Sequence, residues 1–551
     1  MDENERIGIG TACGSCCGNH WKGIFTVLIP LIVLPLPVLL RSDEFICLYV
    51  VIVMAFYWVT EVAPLYITSL LPVFVFPILG ILDSNTVCKQ YFKDPLVMFL
   101  GGLMIALSIE YCNLHKRIAL ITIKAIGCSP RRLHFGLVAV SSFISMWISN
   151  AATTAMMCPV IRAVLDELKG QNIIEIYNSA DNEKQMDERD KSPSPIALGY
   201  YLSSAYATTV GGCGTLIGTG TNLTFKGIYD TRFPEATDEI SFPGFIAYAL
   251  PFVIIMTGLL YFSMQISHFG MFRPNSEIGK QVTYATENAG VVKKVIDQRY
   301  EELGPMSCHE KQVVILFILM VVLLFTRKPG FVTGWAEVVT DKAVNSSAPM
   351  VFVLFWLFIF PINCACLKFC KSKAKGRPKS QLPALISWFF LNKETPWGLV
   401  FLLGGGFALA EGSTQSGMAK MLGNSLKFAQ SFPSSIVQLF CVVTGVFFTA
   451  FSANVAIANI LIPVVSEMAV AIKIHPLYFV FPTGLACSIA FLLPVSTPAN
   501  AIVSGYANIK TKDMVIAGLL PTFFSILLLS INGLTWHSII YPGLELPSWA
   551  K

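Results

Sequence analysis

Two long apolar segments of this chain are interrupted in the same way. In residues 149–159, Ser-Asn-Ala-Ala-Thr-Thr-Ala-Met-Met-Cys-Pro, Asn150 precedes Pro159 by nine positions. In residues 453–463, Ala-Asn-Val-Ala-Ile-Ala-Asn-Ile-Leu-Ile-Pro, Asn454 precedes Pro463 by the same interval. Leu100-Gly101-Gly102 is echoed upstream of the second motif by Leu403-Gly404-Gly405, and Thr219-Gly220-Thr221-Asn222 downstream by Thr497-Pro498-Ala499-Asn500. Irregular backbone at membrane depth is tolerated only where protein buries it or where it lines a cavity. Three interruptions, repeated in order across two halves, therefore predict a carrier built from two structural repeats, with its site where the broken segments meet.

Composition agrees that the chain lives in a membrane. Of 551 residues, 54% are apolar and only 13% are charged, against about 25% charged in soluble domains. Spans are expected at Gly23–Leu40, Phe245–Met264, Val313–Phe325, Val351–Phe360 extended to Ile362, and Val437–Phe448. Crossing a ~30 Å hydrocarbon layer takes about 20 apolar residues, and a helix satisfies its own backbone there. The expected fold is all-α and polytopic, with two inverted repeats of broken helices and re-entrant hairpins. The polar first 21 residues predict a retained first span rather than a cleaved leader.

Charge sets the expected topology. Lys368, Lys371, Lys373, Lys375, Arg377 and Lys379 place six positive charges within twelve residues, which predicts a cytoplasmic loop. One span earlier, Asn345-Ser346-Ser347 is a glycosylation sequon and belongs outside. Asn222-Leu223-Thr224 is also formally a sequon, but it lies in a repeat motif at membrane depth and is set aside. His115-Lys116-Arg117 and Arg131-Arg132 are expected on the cytoplasmic side. The resulting division is a cytoplasmic tail 1–21, a first repeat 22–268 with a polar insert 169–196, and a cytoplasmic linker 269–312. A second repeat 313–545 with a basic loop 368–392 follows, then a tail 546–551. The fifteen cysteines read mainly as small buried hydrophobes; Cys13, Cys16 and Cys17 also fit acylation or metal binding.

The motifs have a common chemistry. Ser145 and Ser149 precede Asn150 and are spaced to share one helix face; Thr449 and Ala453 precede Asn454. Asn offers an amide donor and acceptor and tolerates turn backbone. A helix broken there exposes N–H groups, which favour anions, and C=O groups, which favour cations. Gly211-Gly212-Cys213-Gly214-Thr215, Gly218 to Asn222, and Pro494 to Asn500 add hydroxyls, amides and free backbone. The motifs contain no Lys or Arg. Neutral donors around helix ends suit a small carboxylate or another oxyanion, held weakly enough to be released. Glu61, in Tyr57-Trp58-Val59-Thr60-Glu61, is either an intramembrane functional acid or a helix-end residue. Glu110 and Glu411, each a few residues after its Gly pair, are expected at the mouth of a re-entrant hairpin. No HExxH or Gly-x-Ser-x-Gly pattern occurs, and only seven His are present, so the chain is expected not to be an enzyme, to hold no metal or other cofactor, and to bind no nucleic acid.

At these motifs, over roughly residues 20–550, the chain resembles the divalent-anion/sodium symporter family. The matching text includes the two Asn motifs, the Gly-Gly segments and the Thr-x-x-Asn loops. It also includes Tyr57 to Glu61, Asn113-Leu114-His115-Lys116-Arg117 and Gly404-Gly405-Gly406-Phe407-Ala408-Leu409. Within that family it is similar to the insect INDY carriers of citrate and dicarboxylates, through Cys128-Ser129-Pro130-Arg131-Arg132-Leu133-His134-Phe135 and Ser149-Asn150-Ala151-Ala152. The resemblance implies a homodimer in which a transport domain slides, elevator-like, against a scaffold. It assigns Ser145, Ser149, Asn150 and Gly212 to a first cation site, and Thr449, Ala453, Asn454, Thr497 and Pro498 to a second. Substrate carboxylates would lie against Ser149, Asn150, Ala151, Gly212, Thr215, Thr219, Thr221, Asn222, Asn454, Val455, Thr497, Pro498 and Asn500.

Three hydroxyls of the family pattern are missing. Ala151 and Val455 stand where the pattern has Thr, and Ala453 where it has Ser. A lost buried hydrogen bond is worth about 1–3 kcal/mol, or roughly tenfold or more in ion affinity. Because such sites draw mostly on backbone carbonyls, the losses weaken a cation site without abolishing it. The resemblance to the insect carriers implies Na+-independent, electroneutral exchange of citrate, succinate and related carboxylates across the plasma membrane, and the N-terminus is expected to be cytoplasmic and Asn345 glycosylated. The alternative is symport of dicarboxylate, citrate or sulfate with Na+; a coupling ion, where one is used, would be Na+ or H+.

Overall fold

The computed structural model describes residues 9–127, 129–170, 174–177, 192–287, 289–328, 333–363, 382–541 and 543–550. The basic cluster at 368–379 and the middle of the polar insert lie outside them, as do the side chains of Cys13, Cys16 and Cys17. The described residues form helices joined by short loops, with isolated β-bridges such as Tyr177 to Pro193. Six buried cysteines among them, including Cys158, Cys213 and Cys487, pack as small apolar groups.

The first repeat begins with α1 (Ile9–Val33), which starts inside the stretch read as a polar tail, and α2 (Asp43–Thr60). It continues with α3 (Asp94–Tyr111), α4 (Leu114–Ile126), α5 (Pro130–Ser145) and α6 (Asn150–Gly170). Then come α7 (Pro195–Gly212), α8 (Gly220–Arg232) and α9 (Phe242–His268). The linker is structured and carries Glu277–Glu287 and α10 (Ala289–Glu302). The second repeat contains α11 (Cys308–Thr326), α12 (Ser347–Ile359) and α13 (Gly398–Gln415). It ends with α14 (Ser434–Thr449), α15 (Asn454–Ala471), α16 (Pro476–Ala486), α17 (Pro498–Ala507) and α18 (Thr511–Thr535).

Seven helical stretches among the described residues are long and apolar enough to cross a membrane. Two segments expected to span do not reach that length. They form α12, of 13 residues, and α14, of 16 residues. At 1.5 Å per residue these extend only about 20 and 24 Å, short of the ~30 Å layer. For α14 the reason is the break at Thr449, which turns the chain back through α15.

The hairpins are α5/α6 and α14/α15. Each packs on the broken helix that follows, α7 or α16. The long helices α9 and α18 pack against each other and join the two halves. Phe225 of α8, Phe245 of α9 and Phe481 of α16 form an aromatic cluster across that junction, with centroids 5.3–5.7 Å apart; such pairs add about 0.5–1.5 kcal/mol beyond their burial.

The Gly pairs are not in hairpins. Gly101-Gly102 and Gly404-Gly405 lie inside the continuous helices α3 and α13. Their role is close approach: a Cβ on Gly101 would stand 2.9 Å from Met350 Cβ, and one on Gly405 2.5 Å from Ser69 O. Glu110 accordingly sits at the end of α3 rather than in a hairpin mouth, and Glu411 lies in α13, 3.9 Å from Lys93. Glu61 closes α2 in the left-handed region at φ 49° and is exposed, which is the helix-end reading.

Candidate functional site

The two Asn motifs fold alike. Each hairpin stops at a hydroxyl residue, breaks for four residues and restarts at Asn. Ser145 Oγ donates to Asn150 Oδ1 at 2.6 Å, and Thr449 Oγ1 stands 2.8 Å from Asn454 Oδ1. Helix α5 ends at Ser145, so Ser149 belongs to the break rather than to a shared helical face with Ser145. Asn454 also donates Nδ2 to Ser488 O at 3.3 Å, which holds the hairpin tip against the end of α16.

The following loops are braced by a second pair of asparagines. Asn222 Nδ2 donates to Gly212 O at 2.9 Å and Thr215 O at 2.7 Å. Asn500 Nδ2 reaches the equivalent carbonyls, Ala490 O at 3.0 Å and Leu493 O at 3.1 Å. Each bond spans the same sequence distance in both repeats. Both side chains are fully buried. Thr215 is buried too and donates to Met146 O, tying the first loop to the first hairpin break. Gly212 allows that closeness, since a Cβ there would lie 2.5 Å from Asn150 Oδ1.

Capping differs between the repeats. Ser149 Oγ accepts from Ala152 N at 3.3 Å and so caps α6. Its counterpart Ala453 has no side chain to do this, and α15 starts without a side-chain cap. In the loops the pattern reverses. Thr497 Oγ1 accepts from Asn500 N at 3.3 Å and caps α17, whereas Thr219 makes no cap on α8. The two helices without caps meet: a Cβ on Gly220, the first residue of α8, would lie 3.3 Å from Val455 Cγ2, near the start of α15. The missing Val455 hydroxyl is thus a methyl packed against the other repeat's loop.

Ser149, Asn150, Ala151, Thr219, Gly220, Ala453 and Asn454 are partly open. Thr221 and Thr497 are buried and Pro498 is exposed on the first turn of α17. Helices α8 and α15 pack together, as do α17 and α6. These crossed contacts bring the four motifs into one region. An uncapped helix start carries unsatisfied N–H groups and about half a positive charge, so two of them side by side favour an anion. Each repeat also pairs a hydroxyl with an Asn side-chain oxygen at its break, Ser145 with Asn150 and Thr449 with Asn454. Phe99 of α3, whose ring lies 3.8 Å from the Gly220 Cβ position, and Ser488 complete the surroundings. Neither stood out in sequence, because Phe99 lies in an ordinary apolar run and Ser488 contributes only its backbone oxygen.

Asn345 is exposed. Asn222 is fully buried, as its setting aside as a glycosylation site requires.

Comparison with known proteins gives the same picture. The sodium:sulfate symporter transmembrane region matches residues 18–541. The chain is 53% identical to the Drosophila melanogaster protein I'm not dead yet, over 98% of its own length and 92% of that protein. It is 36% identical to human solute carrier family 13 member 2, covering 98% of this chain and 96% of the relative. It is 35% identical to human Na(+)/dicarboxylate cotransporter 3, over 95% and 92%. Among solved structures, the Alcanivorax borkumensis YdaH transporter superposes with a TM-score of 0.52 at 13% identity, covering 84% of this chain and 90% of that one, which supports the fold. With a family match over nearly its whole length, this multi-pass membrane protein belongs to the sodium:sulfate, or divalent-anion/sodium, symporter family of transporters.

Proposed function

We propose that this protein carries di- and tricarboxylates, citrate and succinate among them, across the plasma membrane by Na+-independent, electroneutral exchange. The observation that carries this reading is the meeting of two uncapped helix starts at Gly220 and Val455. Backbone N–H groups there grip a carboxylate without a fixed full charge, so binding stays reversible. Asn150, Asn454 and the residues that follow them orient the substrate, and the buried braces Asn222 and Asn500 keep both loops open.

Translocation is an elevator movement in a homodimer embedded in lipid. Support comes from the packing: α12 rests on α3 and α11, whereas the hairpins rest on α7, α16, α9 and α18. The first group is the scaffold and the second the moving body; α8 packs on α15 and α16 of the moving body and also on α3 and α13. The N-terminus and the linker 269–312 face the cytoplasm, and Asn345 carries a glycan outside. The boundaries 22–268 and 313–545 delimit the membrane parts of the repeats; the tail 1–21 contains the start of α1, and 546–551 is the other tail.

Ala453 and Val455 favour Na+-independence, since neither offers a side-chain oxygen to a cation. The second reading, Na+-coupled symport of dicarboxylate, citrate or sulfate, draws on the retained Ser145–Asn150 and Thr449–Asn454 oxygen pairs. Radiolabelled citrate uptake into proteoliposomes distinguishes the two. Uptake that rises with internal succinate and ignores replacement of Na+ by choline is the expected result. Uptake that collapses in choline replaces exchange with symport.

A further inference from the structure

The cavity between α4, α6 and α10 lies behind the first Asn motif, on the side of α6 that faces the linker. It measures about 620 Å³, within the ~300–1,000 Å³ range of small-molecule sites. Ala152 and Ala155 of α6 line it near the first Asn motif; Val295 and Ile296 of the linker face them, with Tyr111 and Phe390 beside. The walls are mostly apolar, and the polar groups gather where α4 begins.

That end is built to receive an anion. Asn113, the N-cap of α4, is held at φ 59° and its side chain makes no capping bond. Among the first-turn amides, Leu114 N faces the Cys112 thiol and Lys116 N and Arg117 N reach Asn113 O, which leaves the amide of His115. Lys116 lies on the same turn and is exposed. Arg299, from α10, uses one terminal nitrogen on Glu302 at 3.4 Å. His115 also lines the cavity and is only 7% exposed. Its Nδ1 is 3.2 Å from Ile109 O, which leaves Nε2 without a protein partner. Burial pushes the His115 pKa down to about 4, so the neutral ring adds no charge and its Nε2 accepts from a water rather than holding the carboxylate. Glu110 and Glu302 also line the cavity, and Lys116 and Arg299 offset their charge there.

The linker wall is clamped in place. Arg117 of α4 donates to Gly304 O at 2.9 Å and pairs with Glu310 at 2.7 Å, while Lys124 pairs with Asp297 at 2.7 Å. One side of the cavity is thus fixed to α4, and the other is the helix that carries Asn150.

We propose that this cavity binds an amphipathic carboxylate, its head on Lys116, Arg299 and the His115 amide and its apolar body between α6 and α10. A ligand filling it ties the Asn150 hairpin to the linker and slows translocation without displacing substrate. That consequence rests on the carrier reading; the binding itself does not.

The test uses biphenyl-4-carboxylate, with biphenyl-4-carboxamide as the uncharged control, on the full chain. In detergent without substrate, the carboxylate raises the thermal midpoint saturably and the amide does not. Lys116→Gln and Arg299→Gln each weaken that binding at least tenfold and leave uninhibited citrate exchange unchanged. Ala163→Trp, which fills the cavity, removes the shift while the protein stays monodisperse. In proteoliposomes the carboxylate lowers the maximal rate of citrate exchange and leaves its KM alone. Equal binding of the amide, affinity untouched by both charge variants, or competitive displacement by citrate overturns the proposal. If the unmodified protein exchanges no citrate, the carrier reading fails, and the thermal shift still decides the site.

Discussion

Gly220 and Val455 stand in contact across the two repeats, so that a Cβ on the glycine would lie 3.3 Å from the valine methyl Cγ2. The contact joins the starts of α8 and α15, the two motif helices that lack side-chain caps. A side chain larger than hydrogen at position 220 would grow into the space between them. Gly220→Leu is expected to cut citrate uptake more than tenfold at normal membrane abundance, and Gly220→Ala several-fold. Uptake by Gly220→Leu equal to that of the unmodified protein would remove this junction from the anion path.

Asn150 and Asn454 hold equivalent bonds to Ser145 and Thr449. Asn150→Ala or Asn454→Ala should abolish uptake while the protein still reaches the membrane. Thr449→Val removes the hydroxyl from both Asn454 Oδ1 and Cys487 O. Losing a buried hydrogen bond costs about 1–3 kcal/mol, so a fall of the thermal midpoint and of uptake rate is expected together. Normal transport by both Asn variants would sink the site assignment.

Restoring the three missing hydroxyls tests the coupling. Ala453→Ser gives α15 the cap that Ser149 gives α6, a gain of about 1 kcal/mol. Combined with Ala151→Thr and Val455→Thr, it should make uptake depend on Na+, with at least a tenfold difference between Na+ and choline. Persistent Na+-independence in the triple variant would place the cause of exchange elsewhere.

Asn222 and Asn500 act as internal braces, each through two backbone carbonyls. Replacing either by Ala leaves buried carbonyls without donors, at about 1–3 kcal/mol each. Both variants should unfold at similarly lowered temperatures, because their bonding is equivalent. A variant that lost transport at unchanged stability would instead assign that Asn to direct substrate contact.

Arg117 pairs with Glu310 where both side chains are nearly buried, and it also holds Leu303 O and Gly304 O. Removing one partner of a buried pair costs about 3–5 kcal/mol. Arg117→Gln should loosen α10, seen as faster trypsin cleavage after Lys293 and Lys294. Unchanged cleavage would mean that other contacts hold the linker.

Much of this architecture was legible in the order of residues. The apolar runs required helices, since no other open structure satisfies its backbone in lipid. The paired Asn150 and Asn454 motifs, with Asn222 and Asn500 behind them, announced a duplicated broken-helix fold. Three features misled. The Gly pairs read as hairpins because small residues mark both breaks and close helix contacts, and only neighbours such as Met350 and Ser69 tell these apart. The apolar run at 437–448 read as a full span, because hydropathy does not report where the chain turns back. Ser145 and Ser149 read as one helical face, although the helix ends at the first of them.

The sequence alone therefore determined the membrane setting, the helical fold, the two repeats and the residue types at their breaks, all of which follow from local chemistry and periodicity. Tertiary structure alone decided which break faces which. Ala453 and Thr219 are ordinary residues in isolation. They matter because folding sets the uncapped start of α15 against that of α8, and such pairing depends on contacts between positions more than two hundred residues apart, which no local pattern encodes.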